Sequence, residues 1–128
     1  MPGKVVDASI MGAIAFQEGE TTDAMRLVSG ADLYAPLLLK YELTSIARTK
    51  ATQTPADQPL IEMNLAAALA TAVQVVDVDY ARVLQLAIQN GLSTYDSSYL
   101  EVAITLGMPL ATFHQKLATA AGRYGLRA

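Results

Sequence analysis

The sequence predicts an α/β domain in which a short parallel sheet is flanked by helices on both faces. Short β-branched runs alternate with helical patterns along the chain, and parallel strands need long connections that are usually helical. No repeat, low-complexity tract or break in composition divides the chain. With 128 residues, of which 52% are hydrophobic and 16% charged, residues 1–128 are expected to fold as one domain over one core.

The strands of this sheet are predicted at short runs rich in β-branched or aromatic residues. In chain order they cover residues 4–6, 32–35, 73–76 and 110–113. Asp7 directly follows the first run, and Pro36 follows the second. Because ligands of parallel α/β sheets bind outside the carboxyl ends of the strands, polar residues at those ends are candidates for a site.

The helices are predicted between recognisable start and stop residues. In chain order they cover residues 10–17, 21–29, 37–50, 60–71, 80–89, 93–106 and 115–123. Gly30, Gly91 and Gly107 supply stops, and Asp79 is placed to cap the fifth helix. Residues 51–59 are predicted to form a loop or to start the fourth helix.

The composition excludes several classes of protein. The chain has no cysteine, which excludes disulfides and cysteine-ligated metal sites and fits a cytoplasmic protein. The longest purely apolar stretch, residues 65–70, falls far short of the roughly 18 residues of a membrane span, so no membrane partner is expected. Export is not expected either, because Asp7 interrupts any signal-peptide core after Lys4. The net charge of −3 offers no broad basic field for nucleic acid, so such binding needs local basic residues or a bound cation.

Two acidic residues of the first half of the chain occupy unusual positions. Asp7 lies at the end of the first strand, where it can bind a ligand or cap the following helix. Glu42 lies at the edge of the apolar face of its helix, where a carboxylate must be paired, protonated or metal-bound. An ion pair with Lys40 or Arg48 is the alternative for Glu42.

A third acid, Asp96, heads the apolar stripe of a later helix. Its alternative is a first-turn acid favoured by the helix dipole and by a capping box that Ser93 opens. If three carboxylates converge to about 5 Å, each pair repels by roughly 3 kcal/mol at an effective dielectric constant near 20. Such a cluster calls for a cation, and oxygen ligands suit Mg²⁺ or Mn²⁺.

Three segments of the sequence resemble the signature blocks of PIN-domain ribonucleases, with the VapC-type toxins of bacterial toxin–antitoxin pairs as the nearest group. The blocks are Val5-Val6-Asp7-Ala8-Ser9, Tyr34-Ala35-Pro36 followed by Tyr41-Glu42-Leu43, and Gly91-Leu92-Ser93-Thr94-Tyr95-Asp96-Ser97-Ser98-Tyr99-Leu100. The resemblance spans essentially the whole chain in order and length. It implies an acidic pocket that binds Mg²⁺ or Mn²⁺ and endonucleolytic cleavage of RNA by metal-activated water.

The resemblance also implies roles for particular residues. Asp7, Glu42 and Asp96 fall on the family's acidic positions and are expected to bind the metal and to be catalytic. Ser93 or Thr94 matches a hydroxyl residue that often lines the same pocket.

The sequence departs from the family at His114, where an aspartate usually completes the acidic set. Imidazole can ligate Mn²⁺ but suits Mg²⁺ poorly, and the lost negative charge puts a second metal in doubt. We expect His114 to act in proton transfer or substrate contact. A surface or helix-capping role is the alternative.

The resemblance implies an RNA substrate, a homodimer, and a small antitoxin whose tail fills an apolar groove and obstructs the pocket. The alternative to an active ribonuclease is a catalytically silent PIN-like interaction module, because His114 replaces the expected aspartate. A phospho-acceptor receiver domain has a similar length and order of elements, but it needs an aspartate at the end of a central strand near mid-chain. Asp57 lies instead between Pro55 and Pro59.

Overall fold

The sheet has four parallel strands in the order β3-β2-β1-β4. A computed structural model describes residues 2–128, within which the strands alternate with seven α-helices. The strands are β1 (Gly3–Val6), β2 (Asp32–Ala35), β3 (Val73–Val75) and β4 (Leu110–Ala111). The predicted α/β class, with helices covering a short parallel sheet, is confirmed.

The helices follow the predicted order with small shifts at their ends. They are α1 (Ala8–Ala15), α2 (Thr21–Val28), α3 (Leu38–Gln53), α4 (Gln58–Leu69), α5 (Tyr80–Asn90), α6 (Thr94–Leu106) and α7 (Gln115–Arg123). A short 3-10 turn, Pro55–Asp57, joins α3 to α4, so most of the segment whose structure the sequence left open is helical. Gly91 and Gly107 end α5 and α6 with φ of 63° and 64°, a conformation that glycine adopts without strain. Within residues 2–128, none of these helices combines the length and apolar character needed to cross a membrane.

Strand β1 is central because it pairs with β2 on one side and with β4 on the other. Val5 lies opposite Tyr34 in β2 and opposite Leu110 in β4. Val5 and Val6 are fully buried, as expected for a strand covered on both faces. The residue that follows β1, Asp7, therefore emerges at the middle of the sheet's carboxyl edge.

Strand β4 ends earlier than its sequence predicts. The β-branched and aromatic residues up to Phe113 favour a strand, yet pairing stops at Ala111. The hydroxyl of Thr112 instead donates to the carboxylate of Asp7, and the backbone N–H of Phe113 donates to Ser9 Oγ at 2.9 Å. Hydrogen bonds from Thr112 and Phe113 to the segment after β1 thus take the place of strand pairing at these two residues.

Helix α6 carries much of the core over the sheet. Tyr99, Leu100, Val102 and Ala103 are each at most 1% exposed. The helix packs against β1, β4, α5 and α7. Because Asp96 lies in its first turn, this packing fixes where that carboxylate sits relative to the end of β1.

Candidate active site

Asp7 is held at the end of β1 through both of its carboxylate oxygens. Oδ1 caps α1 by accepting from the backbone N–H groups of Ser9 at 3.1 Å and Ile10 at 3.2 Å, and it also accepts from Ser9 Oγ at 2.6 Å. Oδ2 accepts from the hydroxyl of Thr112 and lies 4.0 Å from His114 Nδ1. The capping alternative therefore describes one oxygen of Asp7, while the other faces Thr112 and His114.

Glu42 lies on α3 and is half-buried. Its Oε1 accepts a hydrogen bond of 2.6 Å from the hydroxyl of Tyr99 on α6. The alternative ion pair with Lys40 or Arg48 is not among the ion pairs of residues 2–128. The carboxylate is thus positioned by a buried phenol rather than neutralised by a cation.

Asp96 sits in the first turn of α6, as the capping pattern predicts. Ser93 is the cap of this helix, and its Oγ accepts from the backbone N–H of Asp96 at 3.0 Å. The Asp96 side chain is 26% exposed, and its Oδ1 lies 3.6 Å from His114 Nδ1. The capping box leaves the carboxylate itself facing the pocket.

His114 stands between the two aspartates. It occupies the cap position of α7, but its side chain makes no capping hydrogen bond. Its backbone N–H donates to Thr112 Oγ1 at 3.0 Å, while the imidazole is 58% exposed. The capping alternative for His114 is therefore wrong for the ring, whose Nδ1 faces Asp96 and Asp7.

The hydroxyls that contact Asp7 are those of Ser9 and Thr112, which sequence reasoning did not single out for this role. Ser93 is engaged in capping α6, and Thr94 lines a neighbouring groove beside α3. Thr112 directly follows β4, so the rule that polar residues at strand ends form sites was the signal that could have found it.

Burial raises the pKa values of two of the acids. Burial raises the pKa of the Asp7 carboxyl, and its hydrogen bonds from Ser9 and Thr112 offset part of that rise. Burial also raises the pKa of Glu42, and the negative charges of Asp7 and Asp96 raise it further. Burial and the Glu42 carboxylate raise the pKa of Tyr99, which keeps the phenol protonated as a donor.

The donor atoms of this pocket suit a hard divalent cation. Carboxylate oxygens are the ligands that Mg²⁺ and Mn²⁺ prefer, and a cation would relieve the repulsion felt by Glu42. Within the described residues 2–128, no three acidic or histidine side chains are already arranged as a metal site. Asp7 and Asp96 face His114, and Glu42 faces Tyr99, so the fit lies in the chemistry of the donors alone.

Two clefts are lined by residues that adjoin the acidic residues in the sequence or in space. One, of about 490 Å³, runs from Ser9 and His114 to Lys50 at the far end of α3. The other, of about 340 Å³, is bordered by Tyr41 and Tyr95, whose neighbours in the sequence are Glu42 and Asp96. Asp7, Glu42 and Asp96 themselves line neither of these two clefts.

Two solved structures share this fold. The crystal structure of PAE2754 from Pyrobaculum aerophilum is 24% identical with a TM-score of 0.76, covering 93% of this chain and 84% of that one. The crystal structure of VapC20 from Mycobacterium tuberculosis, described as a sarcin-ricin loop cleaving toxin, is 16% identical with a TM-score of 0.66. The alignment with VapC20 covers 92% of this chain and 95% of the VapC20 chain. A search of curated proteins found no significant match.

The family comparison covers nearly the whole domain. The model of the PIN domain matches residues 4–123, from the first residues of β1 to the end of α7. The matched region contains Asp7, Glu42, Asp96 and His114, and it includes the whole parallel sheet except Gly3. The chain therefore belongs to the PIN-domain family.

Proposed function

We propose that this chain is a metal-dependent endoribonuclease that cleaves RNA phosphodiester bonds with an activated water, and that it is the toxin of a toxin–antitoxin pair. One observation carries the proposal. Asp7 and Asp96 come from distant segments, and an oxygen of each lies within 4.0 Å of the same nitrogen, Nδ1 of His114. Members of the PIN family are generally nucleases, and VapC20, which shares the fold, is a toxin that cleaves the sarcin-ricin loop.

The proposed cofactor is Mg²⁺ or Mn²⁺, bound by Asp7, Glu42 and Asp96. Such an ion would neutralise charge on the phosphate oxygens and lower the pKa of a bound water. Ser9 and Thr112 hold Asp7 in place, and the Tyr99 phenol orients Glu42. The burial of these groups strengthens their electrostatic effect, because water screens it less.

An exposed aromatic side chain next to Asp96 in the sequence supports RNA as the substrate. In the cleft that begins at Ser9 and His114, Lys50 lies 3.8 Å from Glu18, so a phosphate would have to displace that acid to bind there. Tyr95 is 64% exposed and can stack on an unpaired base, whereas Tyr99 is only 1% exposed and serves the core and Glu42. These features favour single-stranded or looped RNA.

Exposed apolar faces support the proposed protein partners. On α5 the side chains of Tyr80, Leu84 and Ile88 are 81%, 54% and 74% exposed, although the opposite face of the helix is buried. On α4 the side chains of Leu60 and Met63 are 57% and 69% exposed. We assign such surfaces to a second copy of the chain and to a small antitoxin, because large exposed apolar patches mark interaction sites.

The direct test is cleavage of a short single-stranded RNA and of structured RNA with Mg²⁺, with Mn²⁺ or with a chelator. The wild-type chain should cleave only with the ion, and Asp96→Asn should lose at least about 100-fold in rate. Asp57→Asn is the matched control, since it removes the same charge from an exposed turn remote from the pocket. Cleavage in the chelator, or an unchanged rate in Asp96→Asn, would contradict the proposal.

The toxin assignment has its own test. Expression of the chain should arrest growth, and co-expression of the neighbouring gene should relieve the arrest. Asp96→Asn should express without arrest. Arrest by both the wild-type chain and the variant would mean that the effect does not come from the acidic pocket.

A second candidate function is a catalytically silent PIN-like interaction module. It is favoured by the position of His114, whose ring stands between Asp7 and Asp96, and by the lack of a preformed metal site among residues 2–128. Thermal stability separates the two candidates. An active site predicts stabilisation by Mn²⁺ or Mg²⁺ that Asp96→Asn abolishes, whereas a silent module predicts no ion-specific stabilisation.

A further inference from the structure

We propose that α7 and the end of α5 carry a basic surface that binds the phosphates of RNA beside the acidic pocket. This inference rests on the proposed function for its ligand, and it adds where the RNA strand lies outside the pocket. The surface, which we call the basic face, consists of the cations Lys116 and Arg123 and of the polar residues Asn90 and Gln115.

Charge is divided unevenly along the chain. All twelve aspartates and glutamates precede residue 102, whereas residues 102–128 contain Lys116, Arg123 and Arg127 and no acid. Residues 80–95, which include α5, likewise contain an arginine and no acid. Both segments place a helix against α6. A chain whose net charge is −3 therefore has one region of positive local charge, which RNA binding requires.

Lys116 and Arg123 both reach the corner where α5 ends. Nη1 of Arg123 donates to Oδ1 of Asn90 at 2.9 Å, and Nζ of Lys116 lies 3.9 Å from the position that a β-carbon on Gly91 would occupy. The two cations are seven positions apart on α7, which places them on the same side of the helix, about 10 Å apart along its axis. Neither takes part in an ion pair among residues 2–128. Both positive charges are therefore available to an anionic ligand.

The place of Lys116 in its helix is unfavourable for a cation. Lys116 lies in the first turn of α7, where the helix dipole favours acids, and that turn contains no acid. Local preferences of this kind are typically broken at functional sites. Lys116 follows His114 by two residues, and Nδ1 of His114 lies 3.6 Å from Asp96 Oδ1. A phosphate bound by Lys116 would therefore adjoin the acidic pocket.

The composition of the basic face favours RNA over a protein partner. The exposed positions of α7 hold glutamine, lysine, threonine, glycine and arginine, and its leucine and alanines at 117, 118, 120 and 121 are buried. Stable protein interfaces have an apolar core, which this face lacks. Lysine, arginine, asparagine and glutamine are the side chains that contact phosphate and sugar in nucleic-acid complexes.

The test is RNA binding in chelator, where the proposed function predicts no cleavage. A fluorescently labelled single-stranded RNA is titrated with the wild type, Lys116→Gln, Arg123→Gln and the double variant at several salt concentrations, and anisotropy gives the dissociation constants. Each cation that contacts a phosphate adds about 0.7 to the slope of log affinity against log salt concentration, so each single variant should lower the slope by about 0.7. At about 0.1 M salt, binding should weaken about fivefold in each single variant and about 25-fold in the double variant.

Three further readouts sharpen the test. The losses should be equal for RNAs of different base sequence, because phosphate contacts carry no sequence information. When Mg²⁺ or Mn²⁺ is added, the loss of cleavage should appear as a raised KM with an unchanged kcat. Arg48→Gln is the matched control, since it removes one exposed positive charge from α3, outside the basic face, and should leave the slope unchanged.

A purely structural role predicts a different pattern. Cations stabilise the C-terminal end of a helix, and Lys116 and Arg123 both lie at that end of α5. If this is all they do, the double variant should unfold at a lower temperature than the wild type but bind RNA with the same affinity and the same slope. That result overturns the inference.

The outcomes separate this inference from the proposed function. An unchanged slope in the double variant, together with ion-dependent cleavage by the wild type, overturns the basic face and leaves the nuclease proposal standing. RNA binding that depends on Lys116 and Arg123, without cleavage in either ion, supports the basic face and contradicts the nuclease. Failure of the wild type to bind RNA overturns the inference. So does a double variant that keeps its RNA affinity but no longer binds polyglutamate, which would assign the face to an acidic protein.

Discussion

Asp7 and Asp96 both lie near Nδ1 of His114, and the protein holds the two aspartates in very different ways. The Asp7 side chain is 3% exposed and accepts hydrogen bonds from two backbone amides and two hydroxyls. The Asp96 side chain is 26% exposed, and its neighbour in the pocket is the imidazole of His114. One carboxylate is built into the end of a central strand, and the other projects from the first turn of a helix.

This difference divides the pocket into a fixed side, which carries Asp7, and an adjustable side, which carries Asp96. A buried carboxylate is costly unless hydrogen bonds replace its lost hydration, and Asp7 has those bonds in full. Asp96 retains contact with water and needs no such support. Under the proposed function, the fixed side would define where a cation is bound, and the more exposed Asp96 would adjust to it.

The largest expected effect is on the stability of the protein, which should fall far more in Asp7→Ala than in Asp96→Ala. Asp7→Ala removes the cap of α1 and leaves the hydroxyls of Ser9 and Thr112 without their acceptor. We expect a loss of about 2–3 kcal/mol in the free energy of unfolding for Asp7→Ala, against no more than about 0.5 kcal/mol for Asp96→Ala. Urea unfolding of the metal-free proteins measures both values.

Asp7→Asn is the control for this comparison. Asparagine caps helices as well as aspartate, so this variant should recover most of the stability while losing cleavage. Equal losses for the two alanine variants would contradict the division of the pocket into fixed and adjustable sides.

A smaller effect is expected at Thr112, which completes the fixed side. Thr112→Val keeps the shape of the side chain but removes the hydroxyl that donates to Asp7 and accepts from the backbone of His114. We expect a loss of about 1–2 kcal/mol in stability and about tenfold in cleavage rate. Thr119→Val, an exposed threonine on α7, should change neither quantity and serves as the matched control.

The smallest effect is a pH dependence of the fixed side in metal-free protein. Burial raises the folded-state pKa of Asp7 above its ordinary value of 3.8, so the folded state binds the proton more tightly than the unfolded state. This contribution to stability is present at low pH and is lost as pH rises from about 3.8 through the raised pKa. Asp7→Asn should lack this dependence of stability on pH.

The measurement is the difference in unfolding free energy between Asp7→Asn and the wild type, in chelator, from acid to neutral pH. The unfolding free energy of Asp7→Asn should increase relative to that of the wild type as pH rises. Saturating Mn²⁺ should cancel this increase by stabilising the ionised wild-type carboxylates. A difference that stays constant over this range would mean that burial does not disfavour the charged form of Asp7.

The sequence predicted those parts of the site that depend on local order. Asp7 follows a β-branched run, and the edge rule for parallel sheets is enough to mark it. Glu42 interrupts an apolar helical face, which indicated an inward position without naming its partner. That partner, Tyr99, lies 57 residues further along the chain and meets Glu42 only through packing of α6 near α3.

The remaining features depend on contacts that sequence periodicity does not encode. Intrinsic propensity extends β4 to Phe113, but hydrogen bonds to Asp7 and Ser9 end the strand at Ala111. The ring of His114 likewise occupies a position set by Thr112 and by the start of α7. Local patterns marked which residues matter, and tertiary structure decided which atoms meet.

The bond between Thr112 and Asp7 spans 105 residues and joins the first strand to the last. During synthesis Asp7 is made 105 residues before Thr112, whose hydroxyl completes the hydrogen bonds at the carboxyl edge of β1. A nascent chain that lacks the end of β4 has one side of its central strand unpaired and a buried acid without its full set of donors. A chain that has not yet been translated through Thr112 therefore lacks part of the proposed active site, and under the proposed function it would not cleave RNA.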